Sequence, residues 1–368
     1  MKTFTRILFL LSAGFFVDAC VSGKTALKQG DYYDAVLESI HRLRESPSNK
    51  KATGVLTQAY PLAIDYIETG IQNGIKSDDP KKWRNAVSGY QKINFINDQI
   101  KTSLGAMKVI SNPQTRFNEL ASAKNNAADE AYNEGINFMM KSTRPDYKQA
   151  YYDFKDANDF KQGYKESIEM MTQAEFKATI RVAFEEINSS RFNYGSFQPT
   201  ISSLNRLFLS IKPIAQKDTI APDQYLRVVF TGFQQNRPSI TTRTENIARQ
   251  IKTGEQKGPD GKMQDILQTV STNVVYFHKT VTCDAYASVT ITDAANNSVL
   301  QNLNISGPVN WTYDWATHSG DQRALSGNVL NLLQRRESYP NDQDLFNQAI
   351  NNLQSNLGQQ LKSFYSQY

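Results

Sequence analysis

The residues that could do chemistry are few and do not converge. His41, His278 and His318 stand far apart, with no His-x-x-x-His spacing to close on a metal from one helical face, so no metal site is expected. No serine occupies a Gly-x-Ser-x-Gly turn that would present a hydrolytic nucleophile. Glu185 and Glu186 are adjacent, and adjacent side chains point apart in regular structure, so they give no support to a paired-carboxylate mechanism. The glycines of 252–262 are followed by no Gly-Lys-Ser or Gly-Lys-Thr, so they are read as an exposed polar loop and not as a phosphate cradle. Cys283 lies in a strand-like Thr-Val-Thr-Cys-Asp-Ala context, where a thiol acts as a small buried hydrophobe. The densest unusual stretch is 310–325. There Trp311, Tyr313 and Trp315 alternate, and on a strand they share one face as an aromatic ladder. Such rings can pack beneath a helix, anchor a partner protein or stack on sugar rings. Asp321, after Gly320, is expected to cap a helix over 322–334 and stands within reach of Arg323. The chain therefore reads as a non-enzyme with no catalytic residue and no cofactor.

The elements that position these residues begin with an export signal. Lys2 and Arg6 precede an apolar run over 7–17 that is too short to span a bilayer comfortably, the pattern of a secretory signal. Val17-Asp18-Ala19-Cys20 resembles the lipobox of bacterial lipoproteins, with Asp18 where a small residue is usual. The resemblance implies removal of 1–19 and lipidation of Cys20; ordinary cleavage after Ala19, which would release a soluble periplasmic protein, is the alternative. With the lipid, the expected location is the outer membrane, on its periplasmic side rather than the cell surface. No later stretch is apolar for long enough to cross a membrane. The net charge of +5 is spread through interleaved acids and bases without an arginine-rich arm, so nucleic acid is not an expected partner.

After the anchor the periodicity is helical. Gly30-Asp31 breaks one turn and is expected to cap the next helix, Ala35 is small enough for a close crossing, and Pro47 stops the helix. The spacing of an aromatic, then alanine, then two further large or small residues on the same face recurs at Trp83, Ala86, Tyr90 and Ile93. It recurs again at Tyr147, Ala150, Phe154 and Ala157, with a shorter version at Tyr164, Ser167, Met171 and Ala174. Segments 52–72 and 116–140 read as first helices of hairpins, with Pro80 and Pro145 near the starts of the second ones. This stretch resembles a tetratricopeptide-repeat array, although Ala35, Ala86 and Ala150 are more widely and less evenly spaced than the family's repeat of about 34 residues. The resemblance implies a protein-binding scaffold. On that basis Trp83, Tyr90 and Tyr147 join Trp311, Tyr313 and Trp315 as candidate partner-binding residues.

From about residue 178 the pattern changes. Alternation predicts strands at 178–184 and 225–230, an amphipathic helix over 197–211, and further strands over 270–282, 286–292 and 298–309, with a hairpin turn at 293–297. A terminal helix follows over 343–365, its apolar face set by Leu345, Ile350, Leu353, Leu357, Leu361 and Phe364. Asp218-Thr219-Ile220 resembles a short O-glycosylation acceptor of exported proteins. The expected fold class is α+β, with a helical domain over 20–176 and a mixed-sheet α+β domain over 177–368. The element order resembles the α/β domains of envelope-assembly lipoproteins. Together these readings predict an envelope scaffold that holds a protein partner. A surface glycan-binding lipoprotein, similar to those that serve nutrient uptake, is the alternative that the ladder would favour.

Overall fold

Gly30 takes a left-handed φ of 85°, which glycine adopts without a Cβ penalty, and so separates α1 (Gly23–Gln29) from α2 (Tyr32–Glu45). Asp31 sits at the start of α2, but its side chain makes no capping bond, contrary to expectation. The computed structural model describes residues 23–216, 220–259 and 261–368. The 1–19 leader, Cys20, Asp218 and Thr219 lie outside the described residues. The chain divides into two units, one ending at Ala178 and the other running from Thr179 to Tyr368.

The first unit is helical. After α2 come α3 (Lys50–Lys76), α4 (Lys82–Lys101), α5 (Leu104–Val109), α6 (Phe117–Lys141), α7 (Arg144–Phe160) and α8 (Ser167–Ala178). Local chemistry sets several of the boundaries. Asn49 accepts the N–H groups of Lys51 and Ala52 at the start of α3, Ser103 caps α5, and Thr143 caps α7 with Pro145 in its first turn. The helices pack in succession, α2 on α3, α3 on α4, α4 on α6, α6 on α7 and α7 on α8, while the short α5 lies on α2. Ala35, Ala86 and Ala150 are all buried, as close crossings require. A Cβ on Gly135 would strike the ring of Phe154 across the α6–α7 joint, and one on Gly89 would strike Ile71 across the α3–α4 joint.

The second unit is a mixed six-stranded sheet with helices on both faces, which makes the whole chain α+β. β1 (Ile180–Asn188) pairs in parallel with both β2 (Leu209–Pro213) and β3 (Gln224–Gln235). β3 runs antiparallel along β5 (Met263–Asp293), from Gln224 opposite Asp293 to Gln235 opposite Cys283. β4 (Ser239–Lys257) then takes over the same edge of β5, beginning with Ser239 opposite Thr280. β6 (Val299–Gly320) covers the other edge of β5 and ends with Gly320 opposite Thr272. Past that point β4 and β5 continue as a two-stranded ribbon with mostly exposed faces.

Alternation along β5 divides the cores. Val281, Cys283, Ala285, Ala287, Val289 and Ile291 face α9 (Gln198–Ser202) and α11 (Asp342–Tyr365). On the reverse face, Val274 and Ala316 meet Leu325 and Val329, the latter from α10 (Gly327–Leu333). Gly307 on β6 lets the backbone of α11 approach so closely that a Cβ would collide with the Ala349 carbonyl and the Leu353 amide.

Four sequence expectations are corrected. The helix read over 197–211 is only the short α9 followed by β2. Asn205 bonds both the N–H and the carbonyl of Ile211, Phe208 turns to a φ of 67°, and Leu209 and Ile211 then alternate beside β1. The polar loop read over 252–262 is mostly strand, and the turn is confined to residues between Lys257 and Met263. Its polarity is that of two solvent-facing strand surfaces. The strands read at 270–282 and 286–292 are one continuous β5, held through Cys283, Asp284 and Ala285 by partners on both edges. The helix read over 322–334 breaks into a 3-10 turn (Gln322–Ala324), which Asp321 caps through the Arg323 N–H, and the separate α10.

Candidate functional site

The turn between α3 and α4 is built around Asp79. Its carboxylate accepts the Lys81 N–H at 2.8 Å and the Asn85 side-chain amide at 2.9 Å, and this brings Trp83 onto the first turn of α4. The Trp83 N–H in turn donates to Glu130 on α6 at 2.9 Å. The result is an open cleft of about 370 Å³ whose walls include Asp78, Asp79, Trp83, Asp129 and Glu130, with Lys82 as the one cation in the lining. The Trp83 ring is half-buried there, its packed side against the helical core.

Behind this cleft one guanidinium serves four carboxylates. Arg84 contacts Glu134 at 2.8 Å, Asp153 at 3.0 Å, and Glu130 and Asp156 at 3.6 Å each. Asp153 is buried. Burial raises the carboxyls of Glu130, Glu134 and Asp156 above the usual carboxylate range, and Arg84 only partly offsets it. Asp129 behaves oppositely. Hydrogen bonds from Lys165 and then Tyr164, each 2.7 Å long, hold its carboxyl below the usual range. Asp129 is thus ionised but already paired with Lys165, a desolvated acidic web lies behind it, and the exposed acids of the cleft are Asp78 and Asp79. The cleft is suited to a cationic segment that brings some apolar surface to Trp83.

The other helical aromatics do not join Trp83. Tyr90 is buried in the core shared by α1 to α6, so its ring is used for packing. Tyr147 is half-buried at the start of α7 with the Lys177 ammonium 5.2 Å from its ring centre.

The aromatic ladder lies on one face of β6, the face that also carries Ile305 and Val309. Trp311 and Tyr313 are parallel within 3° at 5.8 Å between ring centres, and Tyr313 lies 6.2 Å from Trp315. Trp315 is buried, stacked within 4° on Phe277 from β5 at 5.0 Å. Trp311 packs against the core beneath α11. Beside Trp315 the Lys279 side chain is fully buried. It donates to Glu337 and to the Ser338 carbonyl, and its ammonium sits 3.4 Å from the Tyr339 ring centre. The residues after α10 are pinned to the sheet in this way. Trp315 is therefore occupied by packing, while Trp311 and Tyr313 remain half-buried.

The remaining polar residues singled out in the sequence have structural partners. Glu185 pairs with Arg227 at 2.7 Å, whereas Glu186 accepts from Tyr194, Ser196 and the Phe197 N–H and so fastens the segment before α9. Asp321 forms a two-pronged pair with Arg323. His278 meets Asp314 at 2.7 Å on the exposed surface. Cys283 is buried, and burial pushes its thiol up, away from the reactive thiolate. Among the described residues no group of three potential metal ligands comes together. Arg84, Asp153 and Lys279 were not singled out in the sequence, because nothing local distinguishes a buried charge from a surface one. No protein-family model and no curated protein matches this sequence.

Proposed function

We propose that this chain is a non-enzymatic lipoprotein of the cell envelope, held at the outer membrane through Cys20, whose helical unit holds a protein partner on the periplasmic side. The observation that carries the reading is the Trp83 cleft. A half-buried indole stands beside the exposed Asp78 and Asp79 in an open groove whose acids outnumber its one cation, Lys82, and this combination fits a basic peptide segment with an apolar anchor. The lipobox-like Val-Asp-Ala-Cys supports the location, and the succession of helical hairpins supports a scaffold role.

Crosslinking of the full chain in membranes tests this. A Trp83→Ala, Asp78→Lys double variant should lose the crosslinked partner, and a Trp311→Ala, Tyr313→Ala variant should keep it. Retention by the first variant together with loss by the second would move the site to the ladder. Saturable binding of a polysaccharide that depends on Trp311 and Tyr313 would favour the glycan reading. In the same cells, Cys20→Ala should shift the protein into the soluble fraction once the membranes are washed in high salt.

A further inference from the structure

The two ends of α3 carry opposite charge. At its N-terminal end, where α1, α2 and α3 meet, lies an open groove of about 680 Å³. Leu27, Ala52 and Val55 give it an apolar floor, and Lys24, Lys28, Lys50 and Lys51 stand at its rim with exposed side chains. Arg42 also lines it and is engaged at 2.9 Å by Glu38, the one carboxylate in the lining. The whole chain has a net charge of only +5, so this groove concentrates an excess of positive charge that the rest of the molecule lacks. At the other end of α3 are Asp78 and Asp79 and the acidic cleft at Trp83. The 27 residues of α3 separate the two poles by about 40 Å.

Position adds to charge. Lys24 follows Cys20 by four residues, and a fully extended chain of that length spans at most about 14 Å. Whatever surface the Cys20 lipid enters is therefore within reach of the groove. We propose that the basic groove is a docking surface for the anionic phospholipid headgroups of the bilayer that carries the anchor. Headgroup phosphates sit among Lys24, Lys28, Lys50 and Lys51, while the acidic pole is repelled from the same surface. The helical unit then stands with the Trp83 cleft turned away from the membrane, toward soluble partners. The orientation rests on anchoring at Cys20, whereas the headgroup contact does not need the lipid.

The test uses the full chain carrying Cys20→Ala, so that no acyl chain contributes. It should co-sediment with vesicles of equal parts phosphatidylglycerol and phosphatidylcholine and not with phosphatidylcholine alone, and sodium chloride should weaken the binding. Replacing Lys24, Lys28, Lys50 and Lys51 together by Gln should reduce binding by about a hundredfold or more. Equal binding to neutral vesicles, indifference of the parent to salt, or an unchanged quadruple variant overturns the proposal. So does saturation by inorganic phosphate at concentrations that leave the chain off anionic vesicles, because the groove would then be a site for soluble anions. The salt dependence of the parent decides the matter even if the quadruple variant does not fold. Fractionation of cells expressing Cys20→Ala reports on the anchor separately when the membranes are washed in high salt, which strips headgroup contacts: if the protein stays in membranes after that wash, the anchor reading fails whatever the vesicles show.

Discussion

At the residue scale, the buried charge among the described residues sits in two networks. Lys279 is completely enclosed, yet it keeps a carboxylate, a carbonyl and aromatic faces as neighbours, so its desolvation is compensated by bonds from a segment nearly sixty residues later. Arg84 is outnumbered, and its carboxylates are left short of partners. Because burial raises the Glu130 carboxyl in the folded state above its unfolded value, the folded protein holds that proton more tightly. The contribution of Glu130 to stability is therefore greatest at acid pH and declines as pH rises through the folded-state pKa. We predict that the stability of the parent minus that of Glu130→Gln grows as pH falls from about 7 toward 4.5, in denaturant melts of the full chain. A difference that stays flat, or shrinks, would show that Arg84 outweighs burial.

At the scale of elements, close approach decides how the terminal helix is placed. The inner face of α11 carries Leu345, Ile350, Leu353, Leu357 and Leu361, a stripe at helical spacing that any flat apolar surface could cover. What fixes its seat on the sheet is Gly307, where the α11 backbone lies directly over β6, with the side-chain amides of Asn352 and Asn356 donating to the carbonyls of Pro308 and Ser306. Gly307→Ala should push α11 off that seat and cost on the order of 1–3 kcal/mol, measured by urea unfolding followed in the second unit's tryptophan fluorescence. An unaffected midpoint would mean that the helix can shift along β6 without loss.

At the scale of the molecule, each hydrophobic cluster of the described residues is built within one unit. The clusters around Leu56 and Phe154 are built from residues before Ala178, and those around Leu226 and Val274 from residues after Thr179. Each cluster can therefore be weakened without weakening the other unit. Leu56→Ala should cost about 2–5 kcal/mol in one calorimetric transition, and Leu226→Ala a similar amount in a different one. A single transition moved equally by both variants would show that the units unfold together.

The sequence by itself determined those features whose cause lies within a few residues. The long helices, the break at Gly30 and the stripe of α11 all follow from local periodicity and backbone chemistry, as does the α+β division. The face shared by Trp311, Tyr313 and Trp315 follows from strand alternation alone. Only the tertiary structure decided which of those rings is enclosed, because that depends on the register that sets Phe277 opposite Trp315. It also decided that 252–262 is largely strand, since polar residues pair as well as apolar ones when a neighbouring edge supplies hydrogen bonds. The Trp83 cleft, the Arg84 web, the Lys279 contact and the basic groove at the start of α3 each join residues from separate elements. Their charge balance, and with it their chemistry, exists only after the helices and strands have packed.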